Sequence, residues 1–124
     1  ARDAVELVDA FAALLAAGQL EAARQFLAPD AMIVANGQTL GTRDRYIDGP
    51  ARGDAAALRT VDRDVLGRNA WAGPGFAYVV TEKRLRTPGA TNGPSEVVIE
   101  TMLLRKTEGG WKIAHVHWSG RHAG

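Results

Sequence analysis

Along the opening stretch "RDAVELVDAFAALLAAGQ", Leu7, Val8, Phe11, Leu14 and Leu15 recur at helical spacing, which predicts an amphipathic α-helix. Asp3 followed by Glu6 offers a capping box, and Gly18 a C-terminal stop. "QLEAARQFLAPD" repeats the pattern with Leu20, Ala23, Phe26 and Leu27, and Pro29 is expected to end it. Together they predict a helical hairpin. In "AMIVANGQTLG" the reading is a short strand, an Asn36-Gly37 turn and a second strand. A helix of one or two turns is expected at 42–48, followed by a loop broken by Pro50 and two glycines.

Beyond that point the period changes from helical to alternating. "ALRTVDRDVLGRNAW" alternates with charge on both faces, and "GFAYVVTEKRLR" and "SEVVIETMLLRKT" are rich in β-branched and aromatic residues. "TPGATNGP" is expected to be a loop, and Gly109-Gly110 turns the chain into "WKIAHVHWS". Helices first and long strands afterwards predict an α+β class, one long curved antiparallel sheet with helices on one face.

Composition narrows the chemistry. With 124 residues and 46% hydrophobic content, the chain (1–124) is expected to be one domain with one core. A formal net charge of +1 without a basic run predicts neither a nucleic-acid partner nor an anionic membrane. The absence of cysteine excludes disulfides and thiolate chemistry. The cytoplasm is the expected compartment, although an opening at Ala1 rather than Met is also what removal of a leader leaves.

Two of the three histidines, His115 and His117, fall in one strand and project to one face with Ile113. His-x-His can chelate, but only His122 lies nearby as a third ligand, so no metal and no other cofactor is expected. No nucleophile elbow is present, and "GPGFAY" opens a strand rather than a phosphate-binding helix. Acid–base chemistry is what remains. If Tyr78, Val80 and Glu82 share a face on one strand, and Val98, Glu100, Met102 and Leu104 on the next, two carboxylates look into one partly apolar cavity. The competing expectation is that Glu82 and Glu100 pair with Arg84, Arg86 or Lys112, or lie in water. Asp44, Tyr46, Asp62 and Asp64 are weaker candidates of the same kind.

The order of elements, with "FLAPDAMIV", "LGTRDRY", "AYVVTEKRL" and above all "SEVVIETMLLRKTEGGWKIAHVHWSG", resembles the cone-shaped nuclear-transport-factor-two-like superfamily. Within it, the chain is similar to SnoaL-like proteins and to the association (hub) domain of calcium/calmodulin-dependent protein kinase. The resemblance covers essentially the whole chain. It implies a strongly curved sheet around a pocket covered by the N-terminal helical hairpin, and a dimer formed through the sheet.

The resemblance also implies that even-numbered strand positions face the cavity. Tyr46, Val80, Met102, Val116 and Trp118 would then be ligand pocket, Tyr78, Glu82 and Glu100 catalytic candidates, and Ile113, His115 and His117 interface. Hub domains line this pocket with arginines, and the matching positions Val80, Met102 and Trp118 are apolar here, against an anion pocket of that kind. Ketosteroid isomerase, polyketide cyclase and scytalone dehydratase share the superfamily, but their full catalytic sets are not matched. The expected function is binding of a small apolar or amphipathic molecule by a homodimer. The alternatives are an isomerase, cyclase or dehydratase, or a pure association module.

Overall fold

The computed structural model describes residues 1–88 and 95–123. Helix α1 (Arg2–Ala16) buries Val8, Phe11 and Leu15 of the stripe its spacing predicts, together with Ala4, while Leu7 and Leu14 are half-buried. The expected capping box does not form, because the helix starts at Arg2 with Ala1 as its cap and no side-chain cap. Asp3 instead lies in the first turn, where a negative charge complements the helix dipole. At the other end Gly18 adopts φ +76°, and the amides of Gly18 and Gln19 donate to Leu15 and Leu14.

The second helix is shorter than its pattern. Helix α2 (Leu20–Arg24) stops before Phe26, and strand β1 (Leu27–Ala35) starts at once. Sheet pairing overrides local propensity here, since Ile113 N–H donates to Phe26 O at 2.8 Å and Leu27 pairs with Ile113. Pro29 falls in the irregular part of that ladder, between Leu27 and Met32, where its missing N–H leaves no gap in the pairing. Strand β2 (Gln38–Thr42) returns through Asn36 and Gly37, both at positive φ, as a primed hairpin turn requires.

Helix α3 (Arg43–Asp48) is the expected short helix, but the expected loop after it is a further helix, α4 (Pro50–Leu58). Pro50 sits at its first turn, where proline is pre-organised, and Ala51 and Ala55 bury one face. Strand β3 (Asp62–Ala72) therefore starts later than its alternation suggests. Strands β4 (Phe76–Arg86), β5 (Ser95–Thr107) and β6 (Gly110–Ala123) follow as expected. Residues 89–94 of the expected "TPGATNGP" loop lie outside the described residues.

The six strands form one curved, unclosed sheet in the order β2-β1-β6-β5-β4-β3. All neighbours are antiparallel except β1 and β6, which run parallel. Register shifts in β3–β4 and β5–β6 mark bulges, which bend strands. The core lies between the helices and the inner sheet face, with Val8, Phe11, Leu15 and Ile47 against Ile33, Val79, Met102, Leu104, Ile113 and Val116. Among the described residues no helix is long and apolar enough to cross a membrane.

Candidate functional site

Toward one end of the inner face the core gives way to a cavity of about 410 Å³ between α1, α4 and the sheet. Phe11, Leu15, Leu58, Leu85, Val98 and Trp118 supply most of its apolar wall. Its charged lining comes from Asp9 on α1, Asp54 on α4, Arg63 and Asp64 on β3, Lys83 on β4 and Glu100 on β5.

Glu100 is buried, at 5% exposure, which for a carboxylate calls for partners. One oxygen has them: Oε2 accepts from Trp118 Nε1 at 2.9 Å and from Lys83 Nζ at 3.4 Å. Among the described residues Oε1 has no hydrogen-bond partner, and it is shielded from water. Cross-strand pairing explains the meeting, because Glu100 stands opposite Trp118 on β6 and Thr81 on β4, and Lys83 follows two residues along the same face.

Asp54 occupies the helical side of the cavity. Tyr46, fully buried on α3, donates its hydroxyl to Asp54 Oδ2 at 2.7 Å, and its ring lies 5.9 Å from that of Trp118. Burial, and then the hydrogen bond to Asp54, push the Tyr46 phenol well above the ordinary tyrosine range, so it stays a neutral donor. Arg68 of β3 fixes the neighbouring wall. It forks onto Asp9 at 2.7 and 3.2 Å and donates to Thr81 Oγ1 at 3.1 Å, tying α1 to the sheet.

Several expected site residues lie elsewhere. Because Thr81 pairs with Glu100 and Val79 with Met102, the odd positions of β4 face the helices. Tyr78, Val80 and Glu82 therefore sit on the opposite, outer face, beside Leu103, Thr101 and Ile99. Ile113 is also corrected: the bulge between Leu103 and Leu104 breaks the alternation on β6, so Ile113 pairs with Leu104 and is fully buried. His115 and His117 remain on the outer face, paired with Leu103 and Thr101. His115 Nδ1–H donates to Met32 O at 2.8 Å.

On the inner face, Met102 and Val116 are fully buried in the packed core rather than on the cavity wall. Tyr46 stands behind the wall and acts on it through Asp54 and Trp118. Among the weaker candidates Asp64 reaches the cavity, whereas Asp44 is exposed and joined to Arg43 and Arg24. Glu100 pairs with Lys83, a partner the sequence reading did not consider. Asp54 was missed because its segment read as a loop; the signal was the Ala51, Ala55, Leu58 stripe behind Pro50. Among the described residues no group of three or more His, Cys, Asp or Glu side chains could hold a metal ion.

The fold recurs in solved structures. A "putative ketosteroid isomerase" from Shewanella frigidimarina NCIMB 400 is 25% identical, covers 92% of each chain and superposes with a TM-score of 0.83. A "putative calcium/calmodulin-dependent protein kinase type II association domain" from Thiobacillus denitrificans ATCC 25259 is 19% identical, with 93% of this chain and 92% of that one covered and a TM-score of 0.76. An uncharacterized protein with a cystatin-like fold from Caulobacter vibrioides is 20% identical, with 97% and 89% covered and a TM-score of 0.78. No curated protein matches the chain. The family model of the SnoaL-like domain matches residues 5–121, nearly the whole sequence, and the chain belongs to that family.

Proposed function

We propose that this SnoaL-like domain binds an apolar or amphipathic small molecule in the cavity and works as a homodimer through the outer face of its sheet. The cavity carries the reading. Its 410 Å³ lies within the usual range of ligand pockets, its wall is mostly apolar, and a few fixed polar groups converge on it. The dimer reading rests on the outer face, where Trp71, Tyr78, Leu103, His115 and Met32 stand side by side across five strands. Trp71 is 50% and Met32 40% exposed, more apolar surface than an isolated sheet face needs.

One observation favours a second reading, in which the domain catalyses an isomerisation, cyclisation or dehydration. Glu100 is a buried carboxylate beside the cavity with an unpartnered oxygen, the kind of group suited to taking a proton from a bound substrate. The likeness to the Shewanella protein described as a ketosteroid isomerase supports it. Neither Glu82 nor Tyr78 can share that role from the outer face, and the Tyr46 hydroxyl is engaged by Asp54.

Calorimetric titration with naphthylmethanol tests the cavity. Saturable one-to-one binding is expected, and Ala57→Trp, which places an indole in the wall, should abolish it while the protein stays folded. Binding that Ala57→Trp leaves untouched rejects the site, and no binding to the wild type of this alcohol or of its amine and carboxylate analogues rejects the reading.

A further inference from the structure

The charges lining the cavity are not balanced one by one. Asp9 is matched by Arg68 at 2.7 Å, and Glu100 by Lys83 at 3.4 Å. Asp54 is not matched. Among the described residues no lysine, arginine or histidine nitrogen lies within ion-pairing distance of its carboxylate, and its single side-chain partner is the neutral Tyr46 hydroxyl. That bond uses Oδ2 and fixes the carboxylate's orientation from behind the wall, leaving Oδ1 without a hydrogen-bond partner among the described residues.

The surroundings of Asp54 are apolar. Ala57 and Leu58 follow it on α4, and Phe11, Leu15 and Trp118 complete the wall. A carboxylate in such a place gains most from a partner that carries both a positive charge and N–H donors. With Asp9 and Glu100 matched, the charges left on the lining are Asp54 and Asp64 against Arg63, an excess of one negative charge. An aromatic wall contributed by Trp118 is also favourable to a cation.

We infer that the cavity takes an apolar amine, its ammonium group paired with Asp54 and its hydrocarbon body against Phe11, Leu15, Leu58 and Trp118. The inference rests on the cavity reading above and adds the ligand's charge to it. Tyr46 is a positioning residue in this arrangement, holding Asp54 through Oδ2 so that the other oxygen meets the ligand.

The test compares three probes of one shape by calorimetry: naphthylmethylamine, naphthylmethanol and naphthoate. The amine is expected to bind the wild type at least about tenfold more tightly than the alcohol, as a charge-assisted hydrogen bond allows, and naphthoate most weakly. Asp54→Asn should reduce the amine's advantage to about twofold or less while leaving the alcohol's affinity within about threefold. Tyr46→Phe, which keeps the ring, should reduce that advantage partially. If the alcohol binds and the amine binds no better, the inference is overturned and the cavity reading stands. An advantage that persists in Asp54→Asn also overturns it. If none of the three binds, the cavity reading falls and this inference falls with it. The wild-type comparison can overturn the inference even if a variant fails to fold.

Discussion

Trp118 donates its indole N–H to Glu100 at 2.9 Å, so an aromatic residue on β6 holds a buried carboxylate on β5 directly across the ladder. Glu100's other oxygen has no partner among the described residues, which makes this bond hard to replace. Trp118→Phe keeps a ring in the wall but removes the donor. Oε2 then keeps only its 3.4 Å contact with Lys83; losing a hydrogen bond to a charged group costs about 1.5–3 kcal/mol, and urea denaturation should register a loss of that size. Combining it with Glu100→Gln should reveal a coupling of about 0.5–3 kcal/mol. Additive losses would show that the two residues act independently.

The placement of β4 makes a sharper prediction. Lys83 lies inside, with 15% of its side chain exposed, and partners Glu100 at 6%. Lys83→Met leaves a buried charge uncompensated, and about 3 kcal/mol of stability should be lost. Glu82 is on the other face, so Glu82→Gln should change stability by about 0.5 kcal/mol or less. Thermal unfolding of the two variants distinguishes the registers, because the even-inward arrangement reverses the order of the two losses.

That same strand shows where the sequence stops being legible. Ala77, Tyr78, Val79 and Val80 are apolar without interruption, so alternation carries no sign of which set faces the helices. Only pairing to β5 decides it, through a register set by residues far apart in the chain. The first helix, the Asn36-Gly37 turn and the long strands were readable because each is specified locally, by apolar spacing or by a backbone that needs positive φ. Phe26 and Leu27 went astray for the opposite reason: their helical spacing is genuine, but pairing with Ile113 claims them for the sheet. At the site, Glu100 could be proposed from strand alternation, and Trp118 from the family resemblance. Asp54 required recognising α4, and Ile113 required knowing of a bulge, which has no residue signature here.

Tyr46 should give the protein a distinctive alkaline response. Its folded-state pKa is raised above the ordinary tyrosine value of about 10, first by burial and then by the bond to Asp54. The stabilisation is complete below about 10, where the phenol is protonated in both states. Above that, the unfolded chain releases the proton while the folded one keeps it, and stability falls by up to about 1.4 kcal/mol per pH unit. Chemical denaturation between pH 9 and 11 should show a shallower decline in Tyr46→Phe, with Tyr78 left as the remaining tyrosine. Identical slopes would mean that the hydroxyl ionises as readily in the folded state as in the unfolded one.

The outer face supplies the last prediction. His117 pairs with Thr101 and with Val34, in the row beside Tyr78, Leu103, His115 and Met32. If two copies meet through this face, the replacement His117→Glu puts a negative charge in each copy against an apolar, aromatic surface, and desolvating those charges opposes association. Sedimentation equilibrium should then show the dimer dissociation constant rising by about tenfold, equivalent to about 1.4 kcal/mol. Naphthylmethanol affinity should stay within about twofold, because the side chain lies across the sheet from the cavity. A dimer constant that does not move places the interface elsewhere. A shift in both measurements shows that the two faces of the sheet are coupled, with β6 the natural carrier, since His117 and Trp118 are neighbours on it with side chains on opposite faces.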